Sequence, residues 1–328
     1  MTDPHPRPLS RQAGEGWPRA GAREPSNRRV CGDMRYEGTV YRPPSEAGSL
    51  LIQATIGCPH NRCAFCDMYK GTTYRARPLE EILEDLRLAR EAYGDRVRTI
   101  FLPDANTIWL PTDTLVAICQ AARESFPRLE RITVYGSARF IARKSSDELK
   151  RLRAAGLSRI HTGMESGDAE VLKRIRKGAD PGTIVRAGRM VREAGIEQSE
   201  YVLVGIGGRE RWREHAVESA RVLSAIDPEF IRLRTVIPRP GTPLFEEWRA
   251  GTFELLSAYE ALAETRLFVE NLGGHALLLS DHLSNFWDVH GKLPDEKEAM
   301  LADLDRALAL DRSCFRPPTE DLVYIASL

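Results

Sequence analysis

The residues with the clearest chemical potential are three cysteines within nine positions, Cys58, Cys63 and Cys66. They directly follow the apolar run 50–56, so the pattern predicts one loop at the end of a strand. A closed structural zinc site takes four protein ligands, whereas an iron-sulfur cubane held by three cysteines keeps one iron open. Three thiolates on one loop therefore indicate a metal centre with a free coordination position, where chemistry can take place.

A second interpretation stays open because His60 lies between the first two cysteines. A Cys3His set would form a closed zinc site, and the protein would then be a non-catalytic metal-binding scaffold or a regulatory module. The remaining thiols, Cys31, Cys119 and Cys314, are scattered along the chain, and Cys119 lies in an apolar helical pattern typical of a core. This usage indicates a reduced protein with a metal site and not a disulfide framework.

Composition is that of a soluble enzyme. The chain has 328 residues, 42% of them apolar, which is enough for one large α/β barrel. Lys+Arg and Asp+Glu are equal at 47 each, so charge gives no argument for nucleic acid or an acidic membrane. No apolar run is long enough for a membrane span, and the N-terminus lacks the apolar segment of a secretory signal. We therefore predict a cytoplasmic protein.

The first 33 residues differ from the rest of the chain. They are rich in proline and show no hydrophobic periodicity, so they cannot bury enough surface to offset their ordering entropy. We predict a disordered extension over 1–33, either dispensable with Met34 as the true start or serving as a short targeting or interaction arm. The intact mass of the native protein decides whether this extension is present.

From residue 50 onward, short apolar strand patterns alternate with longer helical patterns, which is typical of successive βα units. The predicted strands are 50–55, 99–102, 132–135, 159–162, 200–204 and 230–237. The predicted helices are 79–93, 112–126, 146–155, 169–176 with 183–194, and 211–226. Six repeats predict an α/β fold, a partial (β/α)6 TIM-like barrel over 34–245, with a helical C-terminal cap over 246–328.

The cysteine loop after the first strand, together with three later motifs, resembles the radical S-adenosylmethionine (radical SAM) superfamily over about 49–244. The resemblance implies that Cys58, Cys63 and Cys66 bind a [4Fe-4S] cluster and that the cofactor chelates the fourth iron. It places Phe65, the aromatic residue before the third cysteine, beside the adenine. The spacing departs from the commonest pattern, because four residues instead of three separate the first two cysteines.

The later motifs supply the other residues that the resemblance assigns to the cofactor. The segment FLPDAN at 101–106 occupies the place of a glycine-rich motif, although its glycines are missing, and suggests Asp104 and Asn106. The segment HTGMESG at 161–167 looks like that of the methylthiotransferase and coproporphyrinogen-dehydrogenase branch. By this likeness Glu165 contacts the cofactor and Lys177 lies near its carboxylate. In VLVGIGG at 202–208, Gly205 would let the backbone approach the adenine.

The resemblance implies an enzyme that reductively cleaves S-adenosylmethionine to a 5′-deoxyadenosyl radical, which abstracts hydrogen from a substrate. It also implies an electron donor such as ferredoxin or flavodoxin. A small-molecule substrate is the prediction, without identity, and no residue is assigned to the substrate's chemistry.

Two further segments allow opposite interpretations. Arg232 and Arg234 alternate along the sixth predicted strand, so both face either the barrel interior, where they would bind an anion, or the solvent. In the segment 280–285, Asp281 and Asn285 are either one helical turn apart and directed towards the site, or part of an ordinary helix start capped by Ser280.

Overall fold

The computed structural model describes residues 34–316 and Val323. Its strands are β1 Leu50–Leu51, β2 Thr55–Ile56, β3 Arg75–Ala76, β4 Thr99–Leu102, β5 Arg131–Tyr135, β6 Leu157–Glu165, β7 Glu197–Val204, β8 Phe230–Thr235, β9 Leu277–Leu279 and β10 His290–Lys292. Eight of them form one sheet in the order β1-β4-β5-β6-β7-β8-β9-β10. Every neighbouring pair is parallel except β9 and β10. The antiparallel pair β2 and β3 forms a separate ribbon.

Ten helices occur in the described part of the chain. They are α1 Leu79–Tyr93, α2 Thr112–Ser125, α3 Ala138–Ile141, α4 Ser146–Ala155, α5 Ala169–Arg174, α6 Pro181–Glu193, α7 Gly208–Ile226, α8 Pro243–Arg249, α9 Ala258–Asn271 and α10 Lys297–Leu308. Several begin at side chains that accept from the first turn: Ser145 and Ser257 form capping boxes, and Asp180 accepts from Thr183. None of these described helices has the length and apolar character needed to cross a bilayer.

The sheet has an apolar face against the helices and an aromatic face towards the barrel interior. Ile100 and Leu102 on β4 belong to the buried apolar core, whereas Phe101 between them contacts the Tyr135 ring at 5.0 Å. His161 lies 5.9 Å from the rings of both Tyr135 and Tyr201. Because side chains alternate along a strand, each parallel strand supplies one face to the core and the other to the interior.

The predicted α/β barrel is confirmed. The six predicted strands correspond to β1 with β2, and to β4 through β8, while the predicted helices 79–93 and 146–155 coincide with α1 and α4. The sheet is open, because β1 and β10 are its two edges. The extension over 1–33 lies outside the described residues, as do most positions after 316.

In the described part of the C-terminal segment, for which the pattern predicts a helical cap over 246–328, α9 and α10 are accompanied by two strands that the pattern did not reveal. Strand β9 pairs in parallel with β8 and so extends the main sheet by one position. Its three leucines are too few to distinguish a strand from part of a buried helix. The helical turn predicted at 280–285 is wrong, because these residues form an irregular turn after β9.

Candidate active site

The cysteine loop leaves β2 at the carboxyl end of the sheet and is fixed at both sides. The Ala64 N–H donates to the Ile175 carbonyl at 2.9 Å, and the Ala64 carbonyl accepts from the Leu244 N–H at 2.9 Å. Asn61 has φ of 42°, and its side chain donates to the Tyr69 carbonyl at 2.7 Å. Asparagine tolerates this left-handed conformation better than most residues, so Asn61 accommodates the tight turn within the longer cysteine spacing.

The three thiols line one cavity of about 340 Å³ at this end of the barrel. Burial raises the pKa of Cys63, and it raises the pKa of Cys66 to about 12. Cys58 Sγ accepts from the Asn61 N–H at 3.3 Å and from the Asn106 side chain at 3.6 Å. Thiols whose pKa is raised, as those of Cys63 and Cys66 are, stay neutral unless a metal stabilises their thiolates, and coordination removes the proton.

The donor set, three thiols that line one cavity, is one that an iron-sulfur cubane with an open iron can use. Within the described residues, no three His, Cys, Asp or Glu side chains form a group that could hold one metal ion. A tetrahedral zinc with bonds of about 2.3 Å would require its sulfur ligands to converge, whereas a cubane lets each cysteine bind a different iron. His60 Nε2 is already 2.7 Å from the Arg176 carbonyl, so His60 connects the loop to the segment that follows α5.

Asp104 does not line the cavity and instead binds residues on both sides of the cysteine loop. Its carboxylate accepts from Gln53 at 2.8 Å and from the Tyr69 hydroxyl at 3.2 Å, and it also binds the Gly57 N–H. Burial raises the pKa of Asp104 to about 6, although these hydrogen bonds oppose the rise. The structure therefore places Asp104 outside the cavity, where its bonds to Gly57 and Tyr69 order the segment that carries the thiols.

Asn106 does line the cavity, at the end of β4. It has φ of 66°, and its side-chain oxygen accepts from the Ser137 N–H at 2.7 Å while its amide donates towards Cys58. Asn106 thus links three loops at the carboxyl end of the sheet. Asp104 and Asn106 both adopt positive φ. This backbone conformation is strained and persists only where surrounding contacts hold it, which is frequent at functional sites.

Glu165 and Lys177 form an ion pair on the cavity wall. Their oxygen and nitrogen are 2.9 Å apart, and each side chain is 12% exposed. Glu165 has φ of 68° at a bulge where β6 pairs irregularly with β7. Burial lowers the pKa of Lys177, but Glu165 and Cys63 outweigh it, so the pKa is raised and the ammonium stays charged. Lys177 Nζ also lies 5.8 Å from the Phe65 ring, so these predicted cofactor residues are neighbours.

Gly205 lies behind the cavity and not in its lining. It has φ of 82°, and its N–H donates to Glu264 on α9 at 2.9 Å. Burial raises the pKa of Glu264 to about 8, and it lowers the pKa of the adjacent His215 to about 4. Because His215 Nδ1 is 2.8 Å from the Ser166 hydroxyl, this buried pair connects α9 to the segment that follows Glu165.

Replacing Glu264 by glutamine is expected to remove a pH-dependent loss of stability. A raised pKa in the folded state means that stability falls as pH rises from about 4.5 towards 8. In this range the folded protein keeps the Glu264 proton, whereas the unfolded chain has lost it. In urea unfolding, the free energy of unfolding of Glu264→Gln should rise relative to that of the wild type by on the order of 3 kcal/mol as the pH increases from 5 to 8. Glu270→Gln, exposed on the same helix, is the control, and parallel curves for wild type and Glu264→Gln would contradict the expectation.

The deeper part of the cavity contains residues that the motifs did not identify. Tyr135, His161 and Tyr201 line it, and His161 Nε2 lies 3.1 Å from the Glu46 carboxylate. Burial lowers the pKa of His161 more than Glu46 raises it, so the imidazole is neutral. Burial raises the pKa of Glu46, but hydrogen bonds from His161 and Ser49 outweigh this and lower it to about 2. The alternation of inward positions along the strands was the available signal for these residues.

The inward interpretation of the two arginines on β8 is confirmed. Arg234 lines the cavity, with its guanidinium carbon 5.3 Å from the centre of the Tyr201 ring. Arg232 is 14% exposed and lies 4.0 Å from Asp281, a side chain that is 68% exposed. Asn285 is buried and binds the Leu233 and Ser280 carbonyls, so it orders the turn after β9 and does not enter the cavity.

Comparison with known proteins shows which family the chain matches. The family model "Radical SAM superfamily" matches residues 52–220, just over half of the chain. The chain is 21% identical over 254 residues to an uncharacterized protein of Methanocaldococcus jannaschii, covering 74% of this chain and 76% of that protein. It is 26% identical over 226 residues to the hopanoid C-3 methylase of Methylococcus capsulatus, covering 66% and 40%.

The fold is similar to that of coproporphyrinogen III oxidase from Escherichia coli, with a TM-score of 0.51 and 18% identity. The match covers 68% of this chain and 52% of that chain, so the chain spans about half the length of this solved relative. At this identity the likeness shows the fold alone.

Proposed function

The chain belongs to the radical SAM superfamily of enzymes, and from this membership we propose that it cleaves S-adenosylmethionine reductively and abstracts hydrogen from a small-molecule substrate. The observation that carries the proposal is the lining of one cavity by the three thiols together with four of the predicted cofactor residues: Phe65, Asn106, Glu165 and Lys177. Members of this superfamily use a [4Fe-4S] cluster and S-adenosylmethionine.

Cys58, Cys63 and Cys66 would hold the cluster. When bound, the cluster and S-adenosylmethionine supply a 5′-deoxyadenosyl radical, which is the part of the chemistry that side chains cannot perform. The contribution of the loop is to present three thiols on one cavity wall. Its contacts to Ile175, just after α5, and to Leu244 on α8 hold it in place.

The remaining predicted residues would bind the cofactor's polar groups. We assign Glu165 to cofactor hydroxyls and Lys177 to its carboxylate, since both lie on the wall beside Phe65. Their mutual ion pair orients both side chains before ligand arrives. The Asn106 amide, which already donates to Cys58 Sγ, would position the loop edge.

The reaction requires an electron, and we assign its delivery to a ferredoxin- or flavodoxin-like protein. Arg62 and Lys70 on the cysteine loop and Arg176 beside it are exposed and basic, which suits an acidic donor. This supply of reducing equivalents matches a cytoplasmic location.

The proposal is tested by preparing the full chain anaerobically with iron and sulfide and incubating it with S-adenosylmethionine and dithionite. About four irons per chain, and methionine with 5′-deoxyadenosine in equal amounts, are expected. An iron-free protein carrying one zinc ion and giving no 5′-deoxyadenosine would overturn the proposal and favour the scaffold interpretation.

A further inference from the structure

The positive charges around the cavity differ in whether they have partners. Lys177 pairs with Glu165, and Arg239 pairs with Asp67 at 3.2 Å. Lys70, at the rim, donates to backbone carbonyls of the cysteine loop. Among the described residues, Arg234 has neither a carboxylate nor a carbonyl partner, and its contact is the face of Tyr201.

Arg234 lines the same cavity as Glu165, but Glu165 pairs with Lys177, and among the described residues no carboxylate forms an ion pair with Arg234. The interior side chains beside it, Tyr135, His161 and Tyr201, are uncharged, because burial raises the pKa of both tyrosines and lowers that of His161. The buried carboxylate of Glu46 is already bound by His161 and Arg131. Arg234 is half-buried. A guanidinium partly withdrawn from water is costly unless an anion pairs with it, and stacking on an aromatic face offsets only part of that cost.

A second guanidinium strengthens the positive character of this wall. Arg232 lies two residues before Arg234 on the same face of β8, and its Nε is buried without a partner among the described residues. Its ion pair with the exposed Asp281 is long, at 4.0 Å. This wall is distinct from the one carrying Glu165 and Lys177, which lie on β6 and after α5.

From this unpaired charge we infer that the substrate carries an anionic group, a carboxylate or a phosphate, which binds to Arg234 in the deeper part of the cavity. The inference rests on the proposed function for the statement that a substrate reacts in this cavity. A planar guanidinium over Tyr201 presents paired N–H donors, which match the two oxygens of either anion. The substrate is thereby anchored on β8, two positions along the sheet from β6, which carries Glu165 of the ion pair assigned to the cofactor.

The test uses the full chain with its cluster reconstituted and S-adenosylmethionine bound, so that the cofactor's own carboxylate site is filled. Calorimetric titrations use three probes: succinate, inorganic phosphate, and succinamide as a neutral molecule of succinate's size. The variants are Arg234→Gln, which removes the charge, and Arg234→Lys, which keeps the charge but lacks the paired N–H donors of the guanidinium. Arg266→Gln, on the outer side of α9 in a surface pair with Asp305, is the matched control.

We expect succinate or phosphate to bind at least about tenfold more tightly than succinamide, and the comparison of the two anions identifies the preferred group. Arg234→Gln should weaken anion binding about tenfold or more, Arg234→Lys by less, and Arg266→Gln not at all. Equal anion binding by wild type and Arg234→Gln would overturn the inference. A tenfold weaker binding of S-adenosylmethionine by Arg234→Gln would also overturn it, because the guanidinium would then serve the cofactor.

The 5′-deoxyadenosine assay on the wild type separates this inference from the proposed function. If the cofactor is cleaved but anion binding does not depend on Arg234, the proposed radical chemistry is supported and the inference of an anionic substrate is refuted. Anion binding through Arg234 without any 5′-deoxyadenosine would remove the radical chemistry, and with it the assignment of the anion as a radical substrate.

Discussion

Replacing Cys63 by alanine is expected to abolish 5′-deoxyadenosine formation, with a loss of at least about a thousandfold, and to lower the iron content of the reconstituted chain. Cys63 is the middle thiol of the loop, and its backbone is held by the Ala64 contacts to Ile175 and Leu244. The variant therefore removes one ligand while the loop keeps its anchors. A cluster with two protein ligands is no longer held firmly enough to position the cofactor. Iron analysis, the visible spectrum and the dithionite assay measure the effect.

Cys314→Ser is the matched control, because Cys314 is an exposed thiol away from the cavity. It should retain wild-type iron content and turnover. If Cys63→Ala kept both, Cys63 would not be a cluster ligand. The three-thiol assignment would then fail, whatever the activity of the wild type.

Replacing Glu165 by glutamine is expected to lower kcat/KM for cleavage of S-adenosylmethionine by about a hundredfold. Two effects combine, because the variant loses a charged acceptor for the cofactor and leaves Lys177 without its partner at 2.9 Å. Hydrogen bonds to a charged group contribute about 1.5–3 kcal/mol, and removing one partner of a buried pair costs more. The initial rate of 5′-deoxyadenosine formation at several cofactor concentrations separates KM from kcat.

Gly163→Ala provides an independent way to displace the same carboxylate. A Cβ at this position would lie 3.1 Å from the Glu165 Cδ atom and would overlap its Oε1, so the side chain must move. This variant should raise the KM for the cofactor in the same direction as Glu165→Gln. Glu170→Gln, at an exposed position on α5, serves as control. Unchanged kinetics in both cavity variants would show that Glu165 does not contact the cofactor.

The sequence alone determined the order of the βα units and the position of the cysteine loop. Apolar periodicity reports burial, and burial of a parallel sheet under helices follows directly from that pattern, so 79–93 and 146–155 were predicted to the residue. The local spacing of Cys58, Cys63 and Cys66 predicts a metal centre with an open position, and the structure places all three thiols on one cavity. Family membership, which the match over residues 52–220 shows, was also readable from short motifs.

Only the tertiary structure decided what the remaining side chains face. Asp104 and Gly205 belong to motifs assigned to the cofactor, yet Asp104 lies outside the cavity and the Gly205 N–H is taken by Glu264, 59 residues away. Strand β9 and the turn at 280–285 likewise depend on contacts with β8 that three leucines cannot encode locally. The pairing of Glu165 with Lys177 and the isolation of Arg234 arise because distant strands converge at one end of the barrel. A linear pattern records burial and local conformation, whereas the partner of a charge is set by three-dimensional neighbours.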